Sequence, residues 1–141
     1  MDIICSGGIF LSKNTQRFLF LLRANGRTAG TWGIAGGKQE PQDRSPYDTL
    51  LREIQEEIGF MPEIVKPVPL EWYSSKDDKF FYHTYVLIVE DEFIPKLNDE
   101  HTGYCWVDLD NWPKPLHSGL KNTLSSRTTK GKIETILAVI R

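Results

Sequence analysis

Residues 36–60 read GGKQEPQDRSPYDTLLREIQEEIGF, and the reading of this stretch decides the rest of the chain. It opens on a Gly-Gly turn and closes at Gly59, a natural helix stop. Ser45 suits an N-cap, Pro46 suits the first helical position, and Asp48 stands three residues after the cap, where a carboxylate belongs. The spacing predicts a helix from residue 46 to about residue 58. At about 100° per residue, Tyr47, Leu50, Leu51, Ile54 and Ile58 share one apolar face, and Glu53, Glu56 and Glu57 gather in a separate arc. Acids at i, i+3 and i+4 repel one another by some tenths of a kcal/mol per pair. A solvated acidic face and a divalent-cation site both fit that pattern. The acids bring no His or Cys with them, and oxygen-only ligands favour Mg²⁺ or Mn²⁺ over zinc. The glycine turn shifts the balance towards a cation site, because glycine lets a backbone group approach closely.

Working outward, residues 3–11 read as a strand with a bend marked by Gly7-Gly8, and residues 17–23 (RFLFLLR) as a strand buried on both faces. The two form a hairpin. Residues 25–30 are a loop, and residues 31–34 a short strand leading into the glycines. Downstream, Pro62, Pro67 and Pro69 break the chain and leave room for strands at residues 63–65 and 70–74. Residues 79–89 (KFFYHTYVLIV) predict a long central strand, and residues 104–107 a short one. Residues 116–124 and 130–140 predict two terminal helices. Strands on both sides of one internal helix, with helices at the end, suggest an α/β (α+β) sandwich with a mixed sheet between helical layers. The length of 141 residues suits one domain over residues 1–141.

A net charge of −2 argues against general nucleic-acid affinity but not against a small anionic ligand. No run of the sequence approaches the length of a membrane span, and the first residues lack a basic leader. Cys5 and Cys105 have no metal-ligand spacing and read as buried thiols in a reducing compartment. A cytoplasmic protein is expected.

Gly37, a variable loop, and then Arg52-Glu53-Ile54-Gln55-Glu56-Glu57-Ile58-Gly59-Phe60 resemble the Nudix box, G-x5-E-x7-R-E-U-x-E-E-x-G-U, with U an apolar residue. The second half fits at every fixed position. Residues 31–37 (TWGIAGG) and the Glu100-His101…Trp106 segment are similar to other parts of that family, so the resemblance covers roughly residues 3–110. The first half departs. Asp43 stands where the pattern has Glu, one extra residue separates it from Arg52, Gln42 replaces a common Gly and Ala35 a common Pro.

The resemblance implies Mg²⁺-dependent hydrolysis, with Mn²⁺ as a substitute, of a nucleoside diphosphate linked to another moiety. A nucleoside triphosphate, a dinucleoside polyphosphate or a nucleotide sugar such as ADP-ribose would release a monophosphate. A non-catalytic nucleotide-binding module is the second reading. The resemblance assigns the metal to Glu53, Glu56, Glu57, the Gly37 carbonyl and distal Glu100. It makes Arg52 the residue that orients a box carboxylate, and Glu100 the candidate base, with Asp99 and Asp43 as weaker substitutes. Arg23, Arg27 and Lys38 are candidates for phosphate contacts. Trp32, Phe81 and Tyr82 are aromatics that could take a base, and His101 reads as structural or solvent-exposed. The partner is a small molecule, and the chain is expected to be a monomer or homodimer.

Overall fold

The structure is a computed structural model and describes residues 2–141. Strand β1 (Ile3–Ser12) is its axis. One edge of β1 pairs in parallel with β6 (Phe80–Val89) along its whole length, from Ile3↔Phe80 to Ser12↔Val89. The other edge is divided. Strand β2 (Phe18–Arg23) meets it at Leu11↔Phe18, while β4 (Ala35–Lys38) runs beside residues 5–8. Strand β2 then leaves β1 and carries β3 (Trp32–Gly33) and β7 (His101–Val107) with it. The sheet therefore forks between β4 and the β2–β3–β7 branch. Strand β5 (Lys66–Ser74) closes the far edge on β6. The other ladders are antiparallel, so the sheet is mixed.

Alternation along the strands sends side chains to two cores. On one face Phe10, Leu19, Leu21 and Leu87 meet Leu50, Ile54 and Ile58 of α1 (Pro46–Ile58). On the other face Ile9, Leu11, Phe18, Phe20 and Val86 meet Leu120 and Leu124 of α2 (Ser118–Ser125) and Ile133 and Leu137 of α3 (Arg127–Ile140). Each fully buried Leu or Ile of α1 stabilises its packing by roughly 1.5–3 kcal/mol. That holds the helix against the sheet although its other side is crowded with acids. The result is the α/β/α sandwich with a mixed sheet expected from the sequence. Among the described residues, no helix is long and apolar enough to cross a membrane.

Three local expectations are corrected. Strand β1 continues past Gly7-Gly8, which are there for space: a Cβ on Gly7 would lie 2.4 Å from the Tyr82 hydroxyl, and one on Gly8 2.5 Å from Leu87. Residues 63–65 form no strand, and β5 instead starts at Lys66 and includes Pro67 and Pro69. As an edge strand, β5 tolerates both prolines because alternate amides face away from β6. Cys5 and Cys105 are free thiols but half-buried rather than buried.

Candidate active site

Helix α1 starts and stops where its sequence says. The Ser45 hydroxyl accepts the Asp48 amide at 3.1 Å, and Gly59 takes the left-handed conformation with φ 87°. Past that stop the distal loop is fastened across the helix end. The Lys96 amide donates to the Ile58 carbonyl at 2.7 Å, and Asn98 Nδ2 to the Glu56 carbonyl at 3.1 Å. The loop is tied on its other side to the residues after β2. There the Ala24 amide donates to the Glu100 carbonyl at 2.9 Å, and Asn25 Nδ2 to the Asp99 carbonyl at 2.8 Å.

Arg52 gathers the loop before the helix. Its Nε and Nη2 donate to the two oxygens of Asp43 at 3.1 and 2.9 Å, a bidentate pair. Its Nη2 also donates to the Lys38 carbonyl at 3.0 Å, and its Nη1 to Glu53 Oε1 at 3.2 Å. Glu40 and Glu56 each lie 3.5 Å from Nη1. Asp43 receives the Glu40 amide and the Thr49 hydroxyl as well, both at 2.9 Å. It thus accepts four hydrogen bonds, three on Oδ2 and one on Oδ1, and its side chain is 4% exposed. The Arg52 hydrogen bonds hold its carboxyl well below the usual range.

Glu57 is placed in the opposite way. It is 2% exposed, and Oε2 accepts the Gly36 amide at 3.3 Å. Glu57 and Glu53 lie close enough for each to shift the protonation of the other. Burial, then Glu53 and then the Glu100 charge, push the Glu57 carboxyl up to about 10. Burial likewise raises Glu53, against the opposing effect of Arg52. Gly37 lies hard against Glu53, since a Cβ there would sit 2.3 Å from Oε1.

The helix acids, Arg52 and the β4 glycines are thus brought together. Glu56 and Glu100 are exposed at the margin, and Glu100 Oε2 accepts from Asn98 at 3.2 Å. Arg23 donates through Nε to the Thr28 hydroxyl at 2.6 Å, and its charge is felt at His101 and Tyr82. Arg27 is exposed in a 3-10 turn (Gly26–Thr28). Trp32 lies away from the acids, packed on the α2–α3 side, with its amide donating to the Pro115 carbonyl at 2.9 Å. Lys38 lines a cavity of about 750 Å³ with Ile4, Gln39, Pro41 and Glu53.

Two features escaped the sequence. One is the choice of Asp43 as the carboxylate that Arg52 holds, where the sequence predicts only some box carboxylate. The other is His101, whose position beside Glu57 no local pattern announces. Its Nδ1 lies 3.8 Å from Glu57 Oε1.

Among the described residues, no three acidic, His or Cys side chains are already gathered into a cation cage. The donor chemistry nevertheless fits a hard divalent ion. Glu57 and Glu53 bring two shielded carboxylates together beside the Gly37 backbone, and carboxylate and carbonyl oxygens suit such an ion.

A family model described as the NUDIX domain matches residues 6–126. A 17.7 kDa protein of enterobacteria phage T4, itself uncharacterised, is 33% identical over 91 residues, covering 60% of each chain. A probable nudix hydrolase of Schizosaccharomyces pombe is 32% identical over 103 residues, covering 67% of this chain and 35% of that one. The crystal structure of a MutT protein from Methanosarcina mazei superposes with a TM-score of 0.69 at 25% identity, covering 92% of this chain and 94% of that one. The chain therefore belongs to the Nudix family. It spans 60% and 35% of the lengths of the two curated relatives.

Proposed function

We propose that the protein hydrolyses a pyrophosphate bond in a nucleoside diphosphate linked to another moiety, releasing a nucleoside monophosphate. The substrate is a nucleoside triphosphate, a dinucleoside polyphosphate or a nucleotide sugar. The observation that carries this reading is Glu57, a carboxylate 2% exposed that accepts the Gly36 amide and stands beside Glu53 and the Gly37 backbone. A structural acid so deeply buried would be paired with a guanidinium or ammonium, as Asp43 is with Arg52. Mg²⁺, or Mn²⁺ in its place, would be held by Glu53 and Glu57, with Glu56 and the Gly37 carbonyl beside them and Glu100 facing from the distal loop. Such an ion would neutralise phosphate charge and lower the pKa of an attacking water.

The chain's own residues supply the rest. Arg52 keeps the loop closed and limits where Glu53 and Glu56 can swing. Glu100, exposed and tethered by Asn98, is the carboxylate free to take a proton at the mouth of the site. The cavity beside Glu53 has the volume of a nucleotide-sized site, and Lys38, its one basic lining residue beside the acids Asp2, Glu40 and Glu53, is the candidate phosphate contact there. Arg23 at the fork is a second phosphate contact. Arg27 and Trp32, which stand apart from the acids, are weaker candidates for substrate contact. We read residues 1–141 as one such domain acting in the cytoplasm.

The test is a panel of nucleoside diphosphate derivatives assayed with Mg²⁺ and with Mn²⁺, products resolved. A monophosphate product whose formation stops in EDTA is expected. Metal binding without turnover on any member of the panel would transfer the protein to the non-catalytic, nucleotide-binding reading.

A further inference from the structure

His101 opens β7, in register with Arg23 of β2, and has no part in the chemistry above. It is 5% exposed. Among the described residues, neither ring nitrogen has a hydrogen-bond partner, although both are buried. A buried polar group left unpaired is unfavourable, and such groups mark either a missing partner or a functional role. Nδ1 lies 3.8 Å from Glu57 Oε1, longer than a hydrogen bond but within reach of one small side-chain rotation. The placement comes from the backbone. Lys96 and Asn98 bind the end of α1, Asp99 and Glu100 bind Asn25 and Ala24, and His101 is the next residue along.

We propose that His101 is a positioning residue for Glu57: its Nδ1–H donates to Glu57 Oε1, while the Gly36 amide holds Oε2, and together they aim the carboxylate at a divalent cation. This rests on the cation site of the proposed function. An ionised carboxylate only accepts hydrogen bonds, so the imidazole must show it an N–H, and Nδ1 is the nitrogen on that side. The Gly36 amide already occupies Oε2, and Oε1 is the oxygen that faces the ring. Outer partners of this kind fix the orientation of metal-binding side chains. A packing role would need only the volume of the ring.

Two measurements on the full chain separate these roles. The first is ¹⁵N NMR of the His101 ring without and with Mg²⁺. The second is calorimetric Mn²⁺ affinity for wild type, His101→Asn and His101→Leu. Asn can present an N–H near the place of Nδ1, and Leu fills the volume without one. We expect a proton on Nδ1 that moves downfield when Mg²⁺ is added. His101→Asn should keep Mn²⁺ affinity within about threefold, and His101→Leu should lose about 10–100-fold. A proton on Nε2 in both states, a His101→Leu affinity equal to wild type, or equal losses in Asn and Leu would each overturn the proposal. If neither variant folds, the wild-type NMR decides. A wild type that binds Mn²⁺ with this hydrogen bond yet hydrolyses nothing would remove the proposed function and leave the role of His101 standing.

Discussion

The loop before α1 and the C-terminal half of α1 each place a carboxylate out of water, Asp43 in one and Glu57 in the other. Asp43 has a guanidinium, a hydroxyl and an amide around it, and its charge is fully matched. Glu57 has one backbone amide, a second acid and an imidazole that does not quite reach it. The first arrangement is complete as it stands. The second is complete only with something positive added. Both are shielded acids, yet only the second invites a ligand.

That contrast is open to direct attack, and the largest effect should come from Glu57→Gln. The substitution keeps the shape and removes the charge. Hydrolysis should fall by about a hundredfold or more, beyond what loss of a supporting partner costs, while the metal-free melting midpoint stays level or rises. Activity within tenfold of wild type would show that the helix does not carry the cation. Next, Arg52→Met should take the matched side apart. Asp43 is left shielded without its counter-charge, and the midpoint should drop by roughly 5–10 °C. A midpoint unchanged in a thermal melt would mean that the loop does not need the pair.

A pH series should then show the two sides pulling in opposite directions. Glu57 has its folded pKa raised to about 10, so the native state holds an extra proton above the unfolded value of about 4.3. Its contribution is present at low pH and lost as pH rises. The metal-free midpoint should therefore fall by several degrees between about pH 5 and 9. Saturating Mg²⁺ should flatten or reverse that slope. Asp43, with its folded pKa lowered, contributes above its unfolded value of about 3.9 and loses that contribution as pH falls below it. A metal-free protein that gains stability from pH 5 to 9 would contradict the unpaired state of Glu57. The smallest effect is expected from Ser45→Ala, which removes the helix cap. It should cost about 1 kcal/mol, or about 2–4 °C, with kcat unchanged.

Much of the fold is legible because its signals are local. Ser45, Pro46 and Gly59 state the helix limits through caps that need no distant partner. The apolar run in β2 announces a strand covered on both faces, and the β-branched and aromatic run in β6 a long central strand. What is not legible depends on partners far along the chain. Pro67 and Pro69 read as breaks because the sequence does not say that β5 is an edge. Gly7-Gly8 read as a bend because Tyr82 and Leu87, which need the space, are some eighty residues away. In the site, the carboxylate cluster is visible from helical spacing alone. The commitment of Arg52 to Asp43, and the arrival of His101 over Glu57, come from a loop closing on a helix. No periodicity records that.

The full-length parallel ladder between β1 and β6 bears on how the chain is made. Each residue of β1 waits for a partner 77 positions later, as Ile3 does for Phe80. At synthesis rates of about 5–20 residues per second, that is roughly 4–15 s during which the axis of the sheet lacks one neighbour. Contacts so distant in sequence also slow refolding relative to a helical protein of equal size. The apolar segment Ile9-Phe10-Leu11 is the part most exposed to misassociation in that interval. A nascent-chain or refolding assay should find protection of β1 arriving together with β6, after the β1–β2 turn has already formed.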